Sequence, residues 1–191
     1  RQISKFNNWY KEKPRTNTIQ PNDLKKWFDA TSNLSSHNNN LIRNNVSSTV
    51  SDLVMFILFT GLRKSEALGL LWEDVDFENA HFTVKATKNN SDLNLPLTTF
   101  TTDLLLKRKI STESQYVFTG SDGVQQLDNP YKQIKKVNEG SGVKFTMHDL
   151  RRTFTTIASS LEIQLHVVQY LTNHSFTDVT LKHYYQPTIE T

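Results

Sequence analysis

The spacing of apolar residues predicts helices over most of the chain. After Pro21, which suits the first turn of a helix, apolar residues recur three and four positions apart, and this spacing gives a helix one apolar face. These residues are Leu24, Trp27 and Phe28. The stretch of residues 31–45 is rich in serine and asparagine and predicts a surface loop.

A strongly apolar stretch predicts a second helix over residues 46–60, for which Gly61 is a natural C-terminal stop. A short helix is predicted over residues 64–70. Beyond the middle of the chain the helical pattern returns, with two glycines and Asn173 as breaks. The helices predicted there cover residues 99–109, 130–139, 148–161, 165–171 and 178–185.

Between these helices the apolar residues alternate with polar ones, which is the period of a strand. The alternating residues are Phe82 and Val84 in one segment and Leu93, Leu95 and Leu97 in the next. Together with residues 75–77 they predict a small antiparallel sheet, with a turn at residues 89–91. The predicted fold class is therefore mainly α with a small three-stranded antiparallel sheet.

The chain has 191 residues and no cysteine. This length is usual for one domain with a full core, and the lack of cysteine excludes disulfide scaffolds, thiol catalysis and cysteine-ligated zinc. The longest apolar run, residues 53–59, is far too short to span a bilayer. We expect a soluble, intracellular domain, and because the chain begins with Arg1 instead of Met, we expect it to be part of a longer protein.

The net charge of +3 is unevenly distributed along the chain. Residues 1–30 hold seven Lys and Arg residues against three acidic residues, so the rest of the chain is close to neutral. A basic arm of this kind suits a segment that lies along a phosphate backbone, and a solvated tail is an equally good interpretation. Because residues 1–20 also lack periodicity, we divide the chain into a linker over residues 1–20 and a domain over residues 21–191.

The helix predicted from residue 148 carries a candidate phosphate-binding pair. His148 and Arg151 are three residues apart and therefore share a helix face. An arginine can bind two phosphate oxygens and a histidine can transfer a proton, although an ordinary solvated helix face has the same pattern. The expected core stripe of this helix consists of Leu150, Phe154, Ile157 and Leu161.

Two further cations are candidates for phosphate chemistry. Arg63 follows the glycine that ends the second helix, and Glu66, three residues on, is placed to orient it. Lys88 lies at the tip of the predicted hairpin, from which it can give a proton to a leaving group. Taken singly, each also fits a structural role, namely capping of helix carbonyls for Arg63 and a charged hairpin tip for Lys88.

The C-terminal part of the chain contains a possible nucleophile. Asn173 tolerates the left-handed conformation that a tight turn before His174 needs, and Tyr184 and Tyr185 follow. A tyrosine has an unperturbed pKa of about 10, so it attacks a phosphate only with cations around that phosphate and a base nearby. Aromatic packing on a terminal helix is the alternative role for the two tyrosines.

In their order along the chain, these motifs closely resemble the catalytic domain of the tyrosine recombinases, the phage integrase family. The motifs are residues 60–68 around Arg63, the hairpin with Lys88, residues 147–154 around His148, and residues 173–175 followed by a tyrosine. The resemblance runs from about residue 20 to residue 187. It implies the mainly helical fold of that family, with a three-stranded sheet on one edge.

The resemblance also implies six catalytic residues and their roles. Two arginines would hold the scissile phosphate, one lysine would protonate the leaving 5′ oxygen, one histidine would act as general acid and base, a second histidine would support the phosphate, and a tyrosine would be the nucleophile. In that order they are Arg63 and Arg151, Lys88, His148, His174, and Tyr184.

By the same resemblance, the protein would be a site-specific DNA recombinase that cuts and rejoins strands through a 3′-phosphotyrosine, without metal, ATP or another cofactor. Its partner would be double-stranded DNA at attachment sites, where it would act as a homotetramer, whereas the isolated chain would be a monomer without membrane contact. It would act in the cytoplasm, at the nucleoid of a bacterial host. Residues 1–20 would then link the catalytic domain, residues 21–191, to an N-terminal DNA-binding domain.

The chain departs from the family pattern at two places. Asn173 stands where the family often has glycine, and the tyrosine follows His174 by ten residues, at Tyr184, where many members have nine. Three alternatives remain open from the sequence. They are a type IB topoisomerase, a catalytically inactive DNA-binding regulator, and a metal-dependent nuclease that uses His148, His174 or His183 as ligands.

Overall fold

The computed structural model describes residues 17–36, 46–85 and 92–173. Within these ranges the chain forms helices on both sides of a short run of strands, as the apolar spacing predicted. In chain order the elements are α1 (Pro21–Ser36), α2 (Val46–Thr60), α3 (Lys64–Leu68), a 3-10 turn (Trp72–Asp74), β1 (Val75–Asp76), β2 (His81–Val84), β3 (Leu93–Pro96), α4 (Thr99–Ile110), α5 (Tyr131–Ser141), α6 (Met147–Ser160) and α7 (Leu165–Leu171).

The three strands form one antiparallel sheet in the order β1, β2, β3, which confirms the predicted fold class. Val75 pairs with Phe82 across the first pair of strands, and Val84 pairs with Leu93 across the second. The alternating apolar residues are buried, since Phe82 is 0% and Leu95 is 2% exposed. One face of the sheet therefore packs on the core, as the period of two requires.

Helix α2 runs through the centre of the core, which explains why it is apolar on nearly all sides. It packs against helices α1, α3, α4, α5 and α6. The Phe56 ring lies 5.3 Å from that of Phe82 and 5.5 Å from that of Phe118, so α2 also joins the helices to the sheet. The C-terminal end of this helix is consequently held in place from several sides.

Helix α1 is longer than the sequence predicted. It continues to Ser36, so the first six residues of the stretch 31–45 are helical and not part of a loop. The reason is tertiary, because Thr31 is fully buried and its carbonyl accepts a hydrogen bond of 2.8 Å from the Ser51 hydroxyl on α2. Packing against α2 thus overrides the weak helix propensity of Ser and Asn.

Ahead of α1, Ile19 is buried, and its backbone N–H donates to the Thr153 hydroxyl on α6 at 2.9 Å. Residues 17–20, which we assigned to the linker, therefore run along the packed body of the domain.

In the described parts of the chain, no helix is both long and apolar enough to cross a membrane.

The expected core stripe of α6 is wrong in its C-terminal half. Leu150 is fully buried, but Ile157 is 36% and Leu161 is 68% exposed. The helix instead turns a more polar face to the core, with buried side chains that include Arg151 and Thr153. Tertiary contacts of these polar groups decide the orientation of α6, which apolar spacing alone does not report.

Ile157, one of these two exposed side chains, lines an apolar groove of about 550 Å³. Among the residues that the structure describes, the groove is bordered by α1, α2 and α6. Its lining includes Phe28, Phe59, Phe154 and Ile157.

Candidate active site

The site is built around the sharp turn that ends α2. The Gly61 N–H donates to the Ile57 carbonyl at 2.9 Å, and Gly61 then adopts a φ of +70°, the left-handed conformation expected at a helix end. A Cβ atom at this position would lie 2.5 Å from Cδ1 of Phe154 on α6. Glycine is thus required twice, for the backbone conformation and for the close approach of α6.

Arg63 follows this turn as the residue that precedes α3. Its backbone N–H donates to Oε2 of Glu66 at 2.8 Å, and its Nη1 donates to Oε1 of the same carboxylate at 2.7 Å. The Glu66 side chain is 7% exposed and the Arg63 side chain is 31% exposed. Glu66 therefore caps α3 and orients the guanidinium, as the spacing of three residues indicated, while the Arg63 side chain lies at the rim of the site.

Arg151 lies deeper, on α6, and is 4% exposed. Its Nη1 donates to the Gly61 carbonyl at 2.6 Å and its Nη2 donates to the carbonyl of Thr172 at the end of α7. The pKa of this guanidinium is lowered to about 10, first because burial disfavours its charge and then because Arg63 is close. Arg151 nevertheless remains charged at neutral pH, and it joins α2, α6 and α7 at one point.

The two guanidinium groups meet on the turn that follows α7. Nη2 of Arg63 donates to the Asn173 carbonyl at 3.1 Å, directly beside the Thr172 carbonyl that accepts from Arg151. Asn173 has a φ of +49°, which confirms the left-handed turn predicted before residue 174. A guanidinium has five N–H donors, and the described hydrogen bonds use two in each case, so both groups keep donors with which an anion can be bound.

His148 lies one turn before Arg151 on α6 and is exposed. Its pKa is lowered from the ordinary value by partial burial and then by the charges of Arg152, Arg151 and Arg63. A lowered histidine pKa means that the neutral imidazole predominates at pH 7. His148 can therefore accept a proton beside the two arginines.

A cavity of about 460 Å³ opens beside Arg63 and reaches the end of the sheet. Its lining includes Glu66, Val84 and Lys85. Because Val84 pairs with Leu93, the connection between β2 and β3 starts at this cavity. That connection contains Lys88, which lies outside the described residues.

The structure thus brings together three of the six predicted site residues, Arg63, His148 and Arg151. His174 and Tyr184 lie outside the described residues, as do the neighbouring His183 and Tyr185. Over residues 17–36, 46–85 and 92–173, no group of three or more His, Asp or Glu side chains is arranged to hold a metal ion.

A comparison with protein families decides the membership of the chain. The sequence model of the phage integrase family matches residues 17–190, from just ahead of α1 to near the C-terminus.

The chain belongs to the phage integrase family.

Curated relatives of this phage integrase domain include tyrosine recombinases and integrases. It is 30% identical to the tyrosine recombinase XerA of Pyrococcus furiosus over 146 residues, which cover 69% of this chain and 50% of the relative. It is 27% identical to the prophage integrase IntF of Escherichia coli over 172 residues, which cover 87% of this chain and 34% of the relative. The chain therefore spans about half the length, or less, of these relatives.

Solved structures show the same fold, that of the tyrosine recombinase catalytic domain. The Tn1549 transposon integrase in complex with a circular intermediate DNA superimposes with a TM-score of 0.72 at 18% identity. The match covers 93% of this chain and 64% of the transposon integrase chain. The XerH site-specific recombinase bound to its difH substrate gives a TM-score of 0.67 at 23% identity. The match covers 83% of this chain and 47% of the XerH chain.

Sequence reasoning missed the groups that hold the arginines. The carbonyls of Gly61 and Thr172 have no side-chain pattern that marks them, so only the folded chain identifies them. Arg152 was also missed. It pairs with Asp149 at 3.1 Å and, after burial, makes the largest contribution to lowering the His148 pKa. Its position next to Arg151 was the available indication.

The close approach at Gly61 predicts a measurable loss of stability in Gly61→Ala. Left-handed strain costs about 1–2 kcal/mol and overpacking costs about 1–3 kcal/mol, so the free energy of unfolding should fall by about 2–5 kcal/mol in urea titrations. Gly142→Ala is a matched control, because Gly142 has a φ of +71° and no atom within 4 Å of an added Cβ. Equal losses in the two variants would contradict the proposed contact with Phe154.

Proposed function

We propose that this phage integrase domain is the catalytic part of a site-specific DNA recombinase, which cuts and rejoins DNA strands through a covalent 3′-phosphotyrosine. One observation carries the proposal. Two guanidinium groups, those of Arg63 and Arg151, are anchored on consecutive carbonyls, with the imidazole of His148 one helical turn away. Two adjacent cations with a neutral base suit a phosphodiester whose negative charge increases in the transition state.

In the proposed reaction, Tyr184 attacks the scissile phosphorus and forms a P–O bond while the bond to the 5′ oxygen breaks. His148, which its lowered pKa keeps neutral at pH 7, takes the phenolic proton. Lys88 gives a proton to the leaving 5′ oxygen. Arg63 and Arg151 bind the non-bridging oxygens, with His174 as a further donor, and stabilise the developing charge.

Rejoining is the same reaction in reverse. A 5′ hydroxyl attacks the phosphotyrosine, a new phosphodiester forms, and the tyrosine regains its proton. The bond to Tyr184 conserves the energy of the broken phosphodiester, so a nucleotide cofactor has no step to drive. We therefore propose that the reaction needs neither ATP nor a metal ion.

The proposed substrate is double-stranded DNA at attachment sites. Solved structures of the same fold include XerH bound to difH substrate and a lambda integrase tetramer bound to a Holliday junction. We propose that this chain also acts as a homotetramer on DNA and is a monomer alone. We further propose that residues 1–20 link it to a second DNA-binding domain, and that it works in the cytoplasm at the nucleoid.

The arginines should matter more for cleavage than for DNA binding. Arg63→Ala and Arg151→Ala should each slow covalent adduct formation on nicked DNA by about 100–1,000-fold, because each removes a donor to the transition state. Arg→Lys should rescue poorly, since a point charge does not reproduce the two-pronged guanidinium. Lys107→Ala, an exposed change on α4, serves as the control. Wild-type cleavage by both alanine variants would refute the role of these arginines.

The choice of Tyr184 as nucleophile is tested with phenylalanine, which removes only the hydroxyl. Tyr184→Phe should abolish the covalent protein–DNA adduct and retain DNA binding, whereas Tyr185→Phe should still form the adduct. The readout is adduct on denaturing gels. The reverse pattern would assign the nucleophile to Tyr185, and adducts from both variants would exclude this pair.

Relaxation of supercoiled DNA lacking a defined site would favour a type IB topoisomerase.

Chelation tests the metal-dependent alternative. Cleavage by the wild-type chain should proceed at an unchanged rate in excess EDTA, because arginine N–H groups supply the charge stabilisation that metal ions supply in other phosphoryl-transfer enzymes. The measurement is the initial rate of adduct formation with and without chelator. Loss of cleavage with EDTA and its return with Mg²⁺ would overturn the recombinase mechanism.

A further inference from the structure

Asn173 is hydrogen-bonded to both Arg63 and Glu66, and these contacts point to a specific role for its side chain. Its carbonyl accepts from Nη2 of Arg63 at 3.1 Å, and its Nδ2 donates to Oε1 of Glu66 at 3.2 Å. The residue is 8% exposed, so water competes little for these hydrogen bonds. The turn after α7 is thereby bonded to both members of the ion pair at the start of α3, more than one hundred residues earlier.

The Glu66 carboxylate is the hub of this arrangement. Its Oε1 accepts from Arg63 and from Asn173, and its Oε2 accepts from the Arg63 backbone N–H. A ring of three hydrogen bonds results, in which Arg63 and Asn173 each donate to Glu66 Oε1 and Arg63 Nη2 donates to the Asn173 carbonyl. A guanidinium bonded through Nη1 on one side and Nη2 on the other is restrained in rotation about its stem, and its remaining donors keep one direction.

The backbone conformation explains why asparagine suits this position. At a φ of +49° most side chains are strained, and glycine, asparagine and aspartate are the residues that tolerate it best. Glycine has no side chain to reach Glu66, and aspartate would place a second carboxylate against it. Asparagine alone of the three combines the left-handed conformation with a neutral N–H donor.

We propose that Asn173 is a positioning residue that fixes the orientation of the Arg63 guanidinium through Glu66. Because Asn173 directly precedes His174, the same ring ties the phosphate-binding arginine to the chain segment that carries His174 and Tyr184. The inference rests on the proposed function, in that the orientation of Arg63 affects rate only if Arg63 binds the reacting phosphate.

The test compares Asn173→Gly and Asn173→Asp in single-turnover cleavage of nicked DNA by the complete chain. Asn173→Gly retains the turn but loses the hydrogen bond to a charged group, and the rate should fall by about tenfold. Asn173→Asp retains both the turn and the size, and the rate should fall by about tenfold or more, because the two carboxylates repel each other. DNA affinity should change by less than about twofold in both variants.

A double-variant cycle separates positioning from simple folding. Glu66→Gln and Asn173→Gly open the same ring, so the rate loss of the double variant should be clearly smaller than the product of the two single losses. Ala80→Gly is the matched control, since Ala80 also has a positive φ, of 51°, and lies in the exposed turn between β1 and β2. That control should cleave at the wild-type rate.

A second readout does not depend on activity. In the NMR spectrum of protein labelled with ¹⁵N-arginine, restrained rotation should give Arg63 separate Nη–H signals, which should merge in Asn173→Gly. The Arg63→Lys spectrum assigns them.

The outcomes distinguish this proposal from the proposed function. Wild-type cleavage by both Asn173 variants, or rate losses that only follow losses of thermal stability and multiply independently of those of Glu66→Gln, would overturn the positioning role. If Arg63→Ala cleaves normally, the proposed function fails, whereas altered Arg63 signals in Asn173→Gly would still demonstrate the restraint.

Discussion

The rest of the site depends on one constraint, that two positively charged guanidinium groups must be held side by side. Arg63 and Arg151 repel each other, and Arg151 is also buried, so its pKa is lowered to about 10. The protein offsets this cost with neutral carbonyl dipoles and one carboxylate, Glu66. The Thr172 carbonyl accepts a hydrogen bond from Arg151, and the next carbonyl, that of Asn173, accepts one from Arg63.

The fold supplies the rigidity that this arrangement needs. Helix α2 is fixed in the core by packing on several sides, and its glycine end allows α6 to approach closely enough for Arg151 to reach the Gly61 carbonyl. The end of α7 contributes the second carbonyl. Three helices that are distant in sequence thus meet at one guanidinium, which explains why α6 turns a polar face inward and leaves Ile157 and Leu161 outside.

The same electrostatics give His148 and Arg63 their separate roles. The arginines around His148 lower its pKa and favour the neutral form, which suits a proton acceptor. Arg63 is more exposed than Arg151 and is oriented by Glu66, which accepts from its Nη1, and by the Asn173 carbonyl, which accepts from its Nη2. In the proposed reaction, the buried arginine and the rim arginine bind the phosphate from two directions, beside a base that is ready to accept a proton.

For the described residues, the sequence by itself determined the helices, the three-stranded sheet, the left-handed turns at Gly61 and Asn173, and the pairing of Glu66 with Arg63, because these follow from local periodicity, backbone preference and spacing along one helix. The helix predicted over residues 178–185 lies outside the described residues. Only the tertiary structure decided which face of α6 is buried, how far α1 extends, and which carbonyls hold the arginines. Those features arise from contacts between segments as far as 110 residues apart, and backbone carbonyls look alike in every sequence. The Asn173–Glu66 hydrogen bond belongs to this second group, since neither residue indicates the other until the chain has folded.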